Sequence, residues 1–246
     1  MEQRSGSGVN WFNYRDTAWK QAIISLAAAF VDFFFPETAK MMNRDLEISC
    51  TFEKTLHAQG AISSLGERRV DVLFDVPLLG EEPSSKIIFI EQQELKDLLM
   101  NLRCFEILIL LLGMYFGSKI DGLVLCTGYE NEGDYLTHEL KAEHSRVKAD
   151  IRTINLSSFK LKALENDDRV FALILYIALL EKLGGQEPAR REESARKALK
   201  HLKGKNLSPK VMSACCLFAF ILMRLDDAAI NRELREDFKM FIIEHD

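Results

Sequence analysis

Several things are missing from this chain, and each absence excludes something. There is no CxxC pair. The five cysteines, Cys50, Cys104, Cys126, Cys215 and Cys216, are odd in number, which excludes a zinc ribbon and a disulfide framework. Most of them sit in apolar runs, so they are expected to be buried free thiols in a reducing compartment. Residues 1–9 are polar, with Gly and Ser but no apolar core, and so do not read as a secretory leader. The longest greasy run, Phe105 to Phe116, contains Glu106 and is too short for a bilayer. The expected location is therefore the cytoplasm, with no membrane partner. No phosphate loop, dinucleotide fingerprint or Ser/His/Asp arrangement occurs, so no organic cofactor is expected. Of the histidines, only His138 and His144 lie near each other. Their spacing suits no common metal site, and they read as surface residues of a Gly- and Glu-rich loop. Basic excess is missing too. The net charge is -5, so any DNA contact needs a local basic patch or a metal that screens the carboxylates.

What is present is ordinary for a soluble globular protein. Hydrophobic residues make up 48% and charged residues 28% of 246 residues, enough for one substantial domain or a domain with an appendage. No internal repeat or low-complexity segment is visible.

The pattern of apolar residues gives the elements. Residues 14–35 read as one helix, because Trp19, Ile23, Leu26, Ala27, Phe30 and Phe34 recur at three-to-four spacing. Pro36 should stop it. Residues 46–52 suit a short edge strand and 56–67 a polar loop. Residues 69–78 alternate in strand fashion, residues 80–85 form a turn, and 86–93 carry the continuous run Ile87-Ile-Phe-Ile of a central strand. A long apolar helix over 95–116 leads to a buried strand at 122–127 and a further strand at 146–156. Strands flanking a crossover helix imply at least one parallel pair. Helices follow at 168–183, 192–203, 208–225 and 230–243. Ser208-Pro209 makes a good helix start. The expected organisation is a flexible start over 1–13, an α/β core over 14–183 and a helical C-terminal extension over 184–246.

One constellation can carry chemistry. Asp71 lies on the first strand of the hairpin and Glu91 near the end of the second. Gln93, two residues on, shares the face of Glu91. Two carboxylates converging at strand ends make a site for a hard divalent cation, with the Gln92 carbonyl as a further oxygen ligand. Such a cation can polarise a phosphoryl oxygen and activate water. The alternative is a pair of surface carboxylates on a half-exposed sheet. A second feature is the basic stretch with Arg190, Arg191, Arg196, Lys197 and Lys200. It reads either as a phosphate-contacting surface or as a solvated helix face balanced by Glu192 and Glu193, and the second reading is preferred.

Six segments in order resemble a known family. Tyr14-Arg-Asp-Thr-Ala-Trp-Lys-Gln-Ala-Ile, Phe33-Phe-Phe-Pro-Glu, Arg69-Val-Asp-Val-Leu, Ile88-Phe-Ile-Glu-Gln-Gln, residues 166–180 and Leu222-Met-Arg-Leu are similar to stretches of the Rpn family. That family comprises recombination-promoting, transposase-like nucleases of the PD-(D/E)XK superfamily. The resemblance implies a restriction-endonuclease-like α/β fold, a mixed central sheet flanked by helices. It implies Mg²⁺- or Mn²⁺-dependent cleavage of DNA. Carried over, Asp71 is the Asp of the motif, Glu91 is its second acid, and Gln93 stands where the wider superfamily has lysine, to orient water or phosphate. Gln93 lacks the positive charge that lysine offers a developing phosphorane. Asp16 matches an early acid of the family and serves either as a supporting carboxylate or as a first-turn helix acid. The expected partners are DNA and, as in many nucleases of this fold, a second copy in a homodimer. Two other expectations stand beside this one: a degenerate member that binds DNA or protein without cutting, and a structural oligomer built on apolar C-terminal helices. Convergence of Asp71 and Glu91 beside Gln93 favours cleavage, whereas a salt-bridged or splayed pair favours degeneracy.

Overall fold

A computed structural model of the chain describes residues 11–57, 66–80, 84–185 and 187–223, with Arg232 and Glu236. The element order is α1 (Trp11–Ser25), α2 (Ala27–Phe34), α3 (Pro36–Met41), β1 (Ser49–His57), β2 (Glu67–Leu78), β3 (Ser84–Gln93), α4 (Met100–Met114), β4 (Lys119–Cys126), β5 (Tyr135–Ala142), β6 (Ser145–Asn155), α5 (Leu161–Glu165), α6 (Val170–Gly184), α7 (Pro188–Lys203) and α8 (Pro209–Leu222).

The strands form one six-stranded sheet in the order β1-β2-β3-β4-β6-β5. It is mixed: β3–β4 and β4–β6 are parallel, and the other three pairs are antiparallel. The α4 crossover between β3 and β4 supplies the expected parallel pair. Each face of the sheet carries its own core. Val72, Phe74, Val76, Ile88, Ile90, Leu123 and Leu125 pack against α1, α2, α6, α7 and α8. Val70, Leu73, Ile87, Phe89, Val124 and Cys126 pack against α4. A strand covered on both faces must be apolar at every position, which is why β3 reads Ile-Ile-Phe-Ile. Helix α6 is buried all round, from Phe171 to Leu180. The helices after residue 184 join the same core as the sheet, and Trp19 of α1 meets Phe218 of α8 edge-on at 5.1 Å.

Several expected boundaries move. The helix expected over 14–35 bends at Leu26 (φ -119°, ψ 34°). Its hydrogen bonds run on through the bend, which keeps Ala22 and Ile23 buried before it and Phe30 and Val31 buried after it. Pro36 does end α2, but it also opens α3, since proline suits the first turn of a helix. Leu56, His57 and Glu67, expected in a loop over 56–67, are strand residues, because β1 pairs with β2 from Ser49↔Asp75 to His57↔Glu67 and the partner draws polar residues into the ladder; residues 58–65 lie outside the described residues. Helix α4 starts at Met100 rather than 95. The Asp97 carboxylate accepts the Leu99 N–H at 2.9 Å, a local turn that competes with the helix. The loop assigned to His138 is strand β5, and His138 pairs with Ala149 and stacks on Phe105 at 4.7 Å. Cys104, Cys126, Cys215 and Cys216 are buried free thiols, and Cys50 is half-buried. Among the described residues no helix is long and apolar enough to cross a membrane. Of the helix expected over 230–243 only Arg232 and Glu236 are among the described residues, both helical; of the turn expected over 80–85, residues 81–83 lie outside them and Ser84 and Ser85 already belong to β3.

Candidate metal and phosphate site at the end of β3

The β2–β3 ladder runs from Leu78↔Ser84 to Val72↔Ile90. The next opposed residues are Asp71 and Glu91, and there the side chains replace the ladder. The Asp71 N–H donates to Glu91 Oε1 at 3.1 Å, and the Gln92 N–H donates to Asp71 Oδ2 at 2.9 Å. β3 meanwhile continues beside β4 to Gln93↔Cys126, and β2 continues beside β1 to Glu67, so β2 and β3 part just where the two acids meet.

The backbone turns over at the same place. Residues two apart in a strand share a face, yet Val70 packs in the α4 core and Val72 in the α1 core. On the neighbouring strand Glu53 sits between the pairs Phe52↔Val72 and Lys54↔Val70. It is the one non-glycine residue with positive φ (48°) among the described residues. Such a conformation costs on the order of 1 kcal/mol. The result is that Asp71 leans toward α1 while Glu91 faces α4.

A cation waits on each side. Lys20 of α1 is 5% exposed. Its Nζ lies 2.9 Å from Asp71 Oδ1, 2.7 Å from Asp16 Oδ2 and 3.5 Å from Glu53 Oε1. Burial alone would lower its pKa, but the bonds to Asp16 and Asp71 outweigh it and the net shift is upward. Lys20 is thus held as an ammonium. On the other side Arg103 Nη2 lies 3.1 Å from Glu91 Oε2, and Arg103 Nη1 donates to Asp97 at 2.8 Å. Glu91 is 2% exposed. Burial first, and the Asp71 charge second, push it up to about 8 despite Arg103.

The glutamines divide the remaining work. Gln92 is buried, and its Nε2 donates to Thr127 Oγ1 at 2.6 Å. The Gln93 carbonyl accepts the Thr127 N–H at 2.8 Å and its hydroxyl at 3.2 Å. Together they clamp the ends of β3 and β4. The Gln93 side chain is half-buried and finds no hydrogen-bond partner among the described residues. Asp71, Glu91, Gln92, Gln93 and Asp16 are therefore gathered at one end of the sheet, with Asp16 linked through Lys20. The basic residues are elsewhere. Helix α7 packs on α6 and α8; Arg190 pairs with Glu187 and Arg196 with Glu192.

Reading the sequence for acids missed Lys20, Arg103, Glu53 and Thr127. Lys20 had a signal: it follows Asp16 by one helical turn, the spacing at which an acid and a base meet. Nothing local marks Arg103 or Thr127, which the crossover and the parallel register bring in.

The donor set suits one kind of metal. Mg²⁺ keeps most of its waters and takes one or two carboxylates, which Asp71 and Glu91 can provide. Among the described residues no group of three or more His, Cys, Asp or Glu is placed to hold an ion. Lys20 and Arg103 also hold the outward oxygens, so an entering cation competes with Lys20 for Asp71 Oδ1. No family model matches the chain, and no curated protein or solved structure matches it either.

Proposed function

We propose that the chain is a Mg²⁺- or Mn²⁺-dependent phosphodiesterase acting on DNA, with Asp71 and Glu91 as metal ligands. The observation that carries this is the end of the β2–β3 ladder. Two carboxylates from adjacent strands take over from the backbone bonds there, one of them buried and pushed up to about 8. Burial first, and the Asp71 charge second, hold Glu91 above the usual carboxylate range despite its Arg103 partner, and a cation bound beside it would favour its charged form. The resemblance to the Rpn family points the same way.

When bound, a divalent cation lowers the pKa of its water and neutralises charge on a phosphoryl oxygen. The chain's own residues divide the other tasks. Backbone N–H groups of Asp71 and Gln92 fix one oxygen of each carboxylate. Thr127 and Gln92 hold the end of β3 rigid. Gln93, with its free amide, orients water or a phosphate oxygen. Lys20 supplies the positive charge that Gln93 lacks, delivered from α1 rather than from β3. Supercoiled-plasmid nicking with Mn²⁺ tests this. The expected result is nicking by the natural chain and its loss in Asp71→Ala, Glu91→Ala and Lys20→Met. Equal nicking by all four proteins would refute it.

A second reading rests on the ion pairs themselves. Lys20 and Arg103 fill the places beside both acids, and Asp71 leans toward α1 while Glu91 faces α4; a salt-bridged, splayed pair is the arrangement expected of a degenerate member that binds DNA or protein without cutting. On that reading DNA binding, followed by fluorescence anisotropy, is the same in EDTA and in Mg²⁺, and no nicking occurs.

A further inference from the structure

The sheet opens at a second place, at the opposite end of β3. β4 pairs with β3 along its whole length, from Lys86↔Lys119 to Gln93↔Cys126. With β6 it pairs only over Leu123–Cys126, opposite Arg152–Asn155. Before those residues β6 is bonded to β5 alone, so β4 and β6 part and a cleft of about 430 Å³ lies between them. That volume is in the range of small-molecule sites.

The cleft reaches both layers of the fold. Phe34 and Phe35 line it from α2 and its end, Leu108 from α4, and Phe89 and Tyr135 from the strands. Gly122 also lines it. A Cβ there would lie 2.3 Å from Phe89 Cζ, so glycine is what lets the Phe89 ring lie across the sheet instead of filling the opening. The walls are thus mainly aromatic and aliphatic.

The charges are unevenly closed. Each acid of the lining has its own lysine: Glu37 with Lys40 at 2.6 Å, Asp121 with Lys86 at 2.5 Å and Asp150 with Lys148 at 2.7 Å. Arg152 has none. Its Nη1 donates to the Phe34 carbonyl at 2.8 Å, and among the described residues it forms no ion pair. One spare guanidinium beside aromatic walls selects a ligand with a flat apolar body and a single negative group.

From this geometry we infer that the β4–β6 cleft is a binding site for a small aromatic monocarboxylate, held by Arg152 against the Phe34, Phe35 and Tyr135 walls. The site lies about 16 Å along β3 from Glu91, taking five residues of strand rise, and does not depend on the metal reading. Calorimetric titration of the full chain with 2-naphthoate and with 2-naphthamide tests it. The two probes share a ring system and differ in charge. The expected result is one-to-one binding of naphthoate, with naphthamide about tenfold weaker, the size of one charge-assisted hydrogen bond. Arg152→Gln should weaken naphthoate by about tenfold and bring it level with naphthamide. Leu108→Trp, which fills the cleft without touching Arg152, should abolish both. Equal affinities for the two probes in the natural chain would overturn the inference. So would naphthoate binding that survives Leu108→Trp in a protein with unchanged circular dichroism, or no binding of naphthoate at millimolar concentration. Should Arg152→Gln fail to fold, the probe pair and Leu108→Trp still decide.

Discussion

Near both ends of β3 two adjacent strands of the sheet part, β2 from β3 at one end and β6 from β4 at the other, but the charges left behind are closed differently. At the Glu91 end, β2 parts from β3 and four acids, Asp16, Glu53, Asp71 and Glu91, crowd around Lys20 and Arg103. At the Lys86 end, β6 departs from β4, each acid of the lining is matched by a lysine, and one arginine is left over. The same event, a ladder that stops short, produces an excess of negative charge in one place and of positive charge in the other. Which ligand an opening attracts is therefore set by the side chains at the last pair, not by the opening itself.

The largest effects should fall on the acidic end. Asp71→Ala and Glu91→Ala are expected to lower plasmid nicking by about a hundredfold or more, since the carboxylates would position the cation that stabilises the developing charge. Asp71→Ala also strips Lys20 of one of its two close partners. Lys20 keeps Asp16, so the loss of folding stability in a urea titration should be about 2 kcal/mol, less than for a wholly orphaned buried charge.

The pH dependence follows from Glu91. Its carboxyl titrates near 4.5 in the ordinary case and near 8 in the folded chain. Between those values the folded state holds the extra proton, so this group makes stability fall as pH rises from about 4.5 to about 8, and adds no slope above that. Glu94 and Glu181 are shifted the same way, burial being the main cause. Glu91→Gln should therefore show a shallower, not a flat, decline in urea midpoint across this window.

Next in size is the other end. Gly122→Ala drives a Cβ into the Phe89 ring and should cost about 2 kcal/mol by overpacking, read as a lower thermal midpoint. It leaves the acidic end untouched, so nicking per folded molecule should not change. The smallest effect belongs to α7. Arg190→Ala with Arg196→Ala breaks two exposed helix ion pairs. The expected change in stability is below about 0.5 kcal/mol and that in DNA affinity below about twofold. A large loss of DNA binding would move the nucleic-acid surface to α7.

Much of this was legible in the sequence, for physical reasons. Strand β3 declared itself because a doubly covered strand must be apolar throughout, and Asp71 and Glu91 stood out as acids on the strands of one hairpin. Strand β5 did not, since an edge strand of Tyr-Leu-Thr-His-Glu-Leu-Lys-Ala carries charges that look like a loop. The bend at Leu26 carries no Gly or Pro to announce it. The face reversal at Asp71 depends on Glu53, on a strand whose pairing no local pattern fixes. Lys20 was visible one turn from Asp16, but its burial among acids is a property of the packed sheet.

The most direct test of the acidic end is calorimetric titration of the natural chain with Mn²⁺ in two buffers of different ionisation enthalpy, beside Asp71→Ala and Glu91→Ala. The expected result is one site whose affinity rises as pH approaches 8, with proton release as Glu91 gives up its proton, and no binding in either variant. No heat at millimolar Mn²⁺, or binding that both variants retain, would contradict it and leave Lys20 and Arg103 as the permanent partners of these two acids.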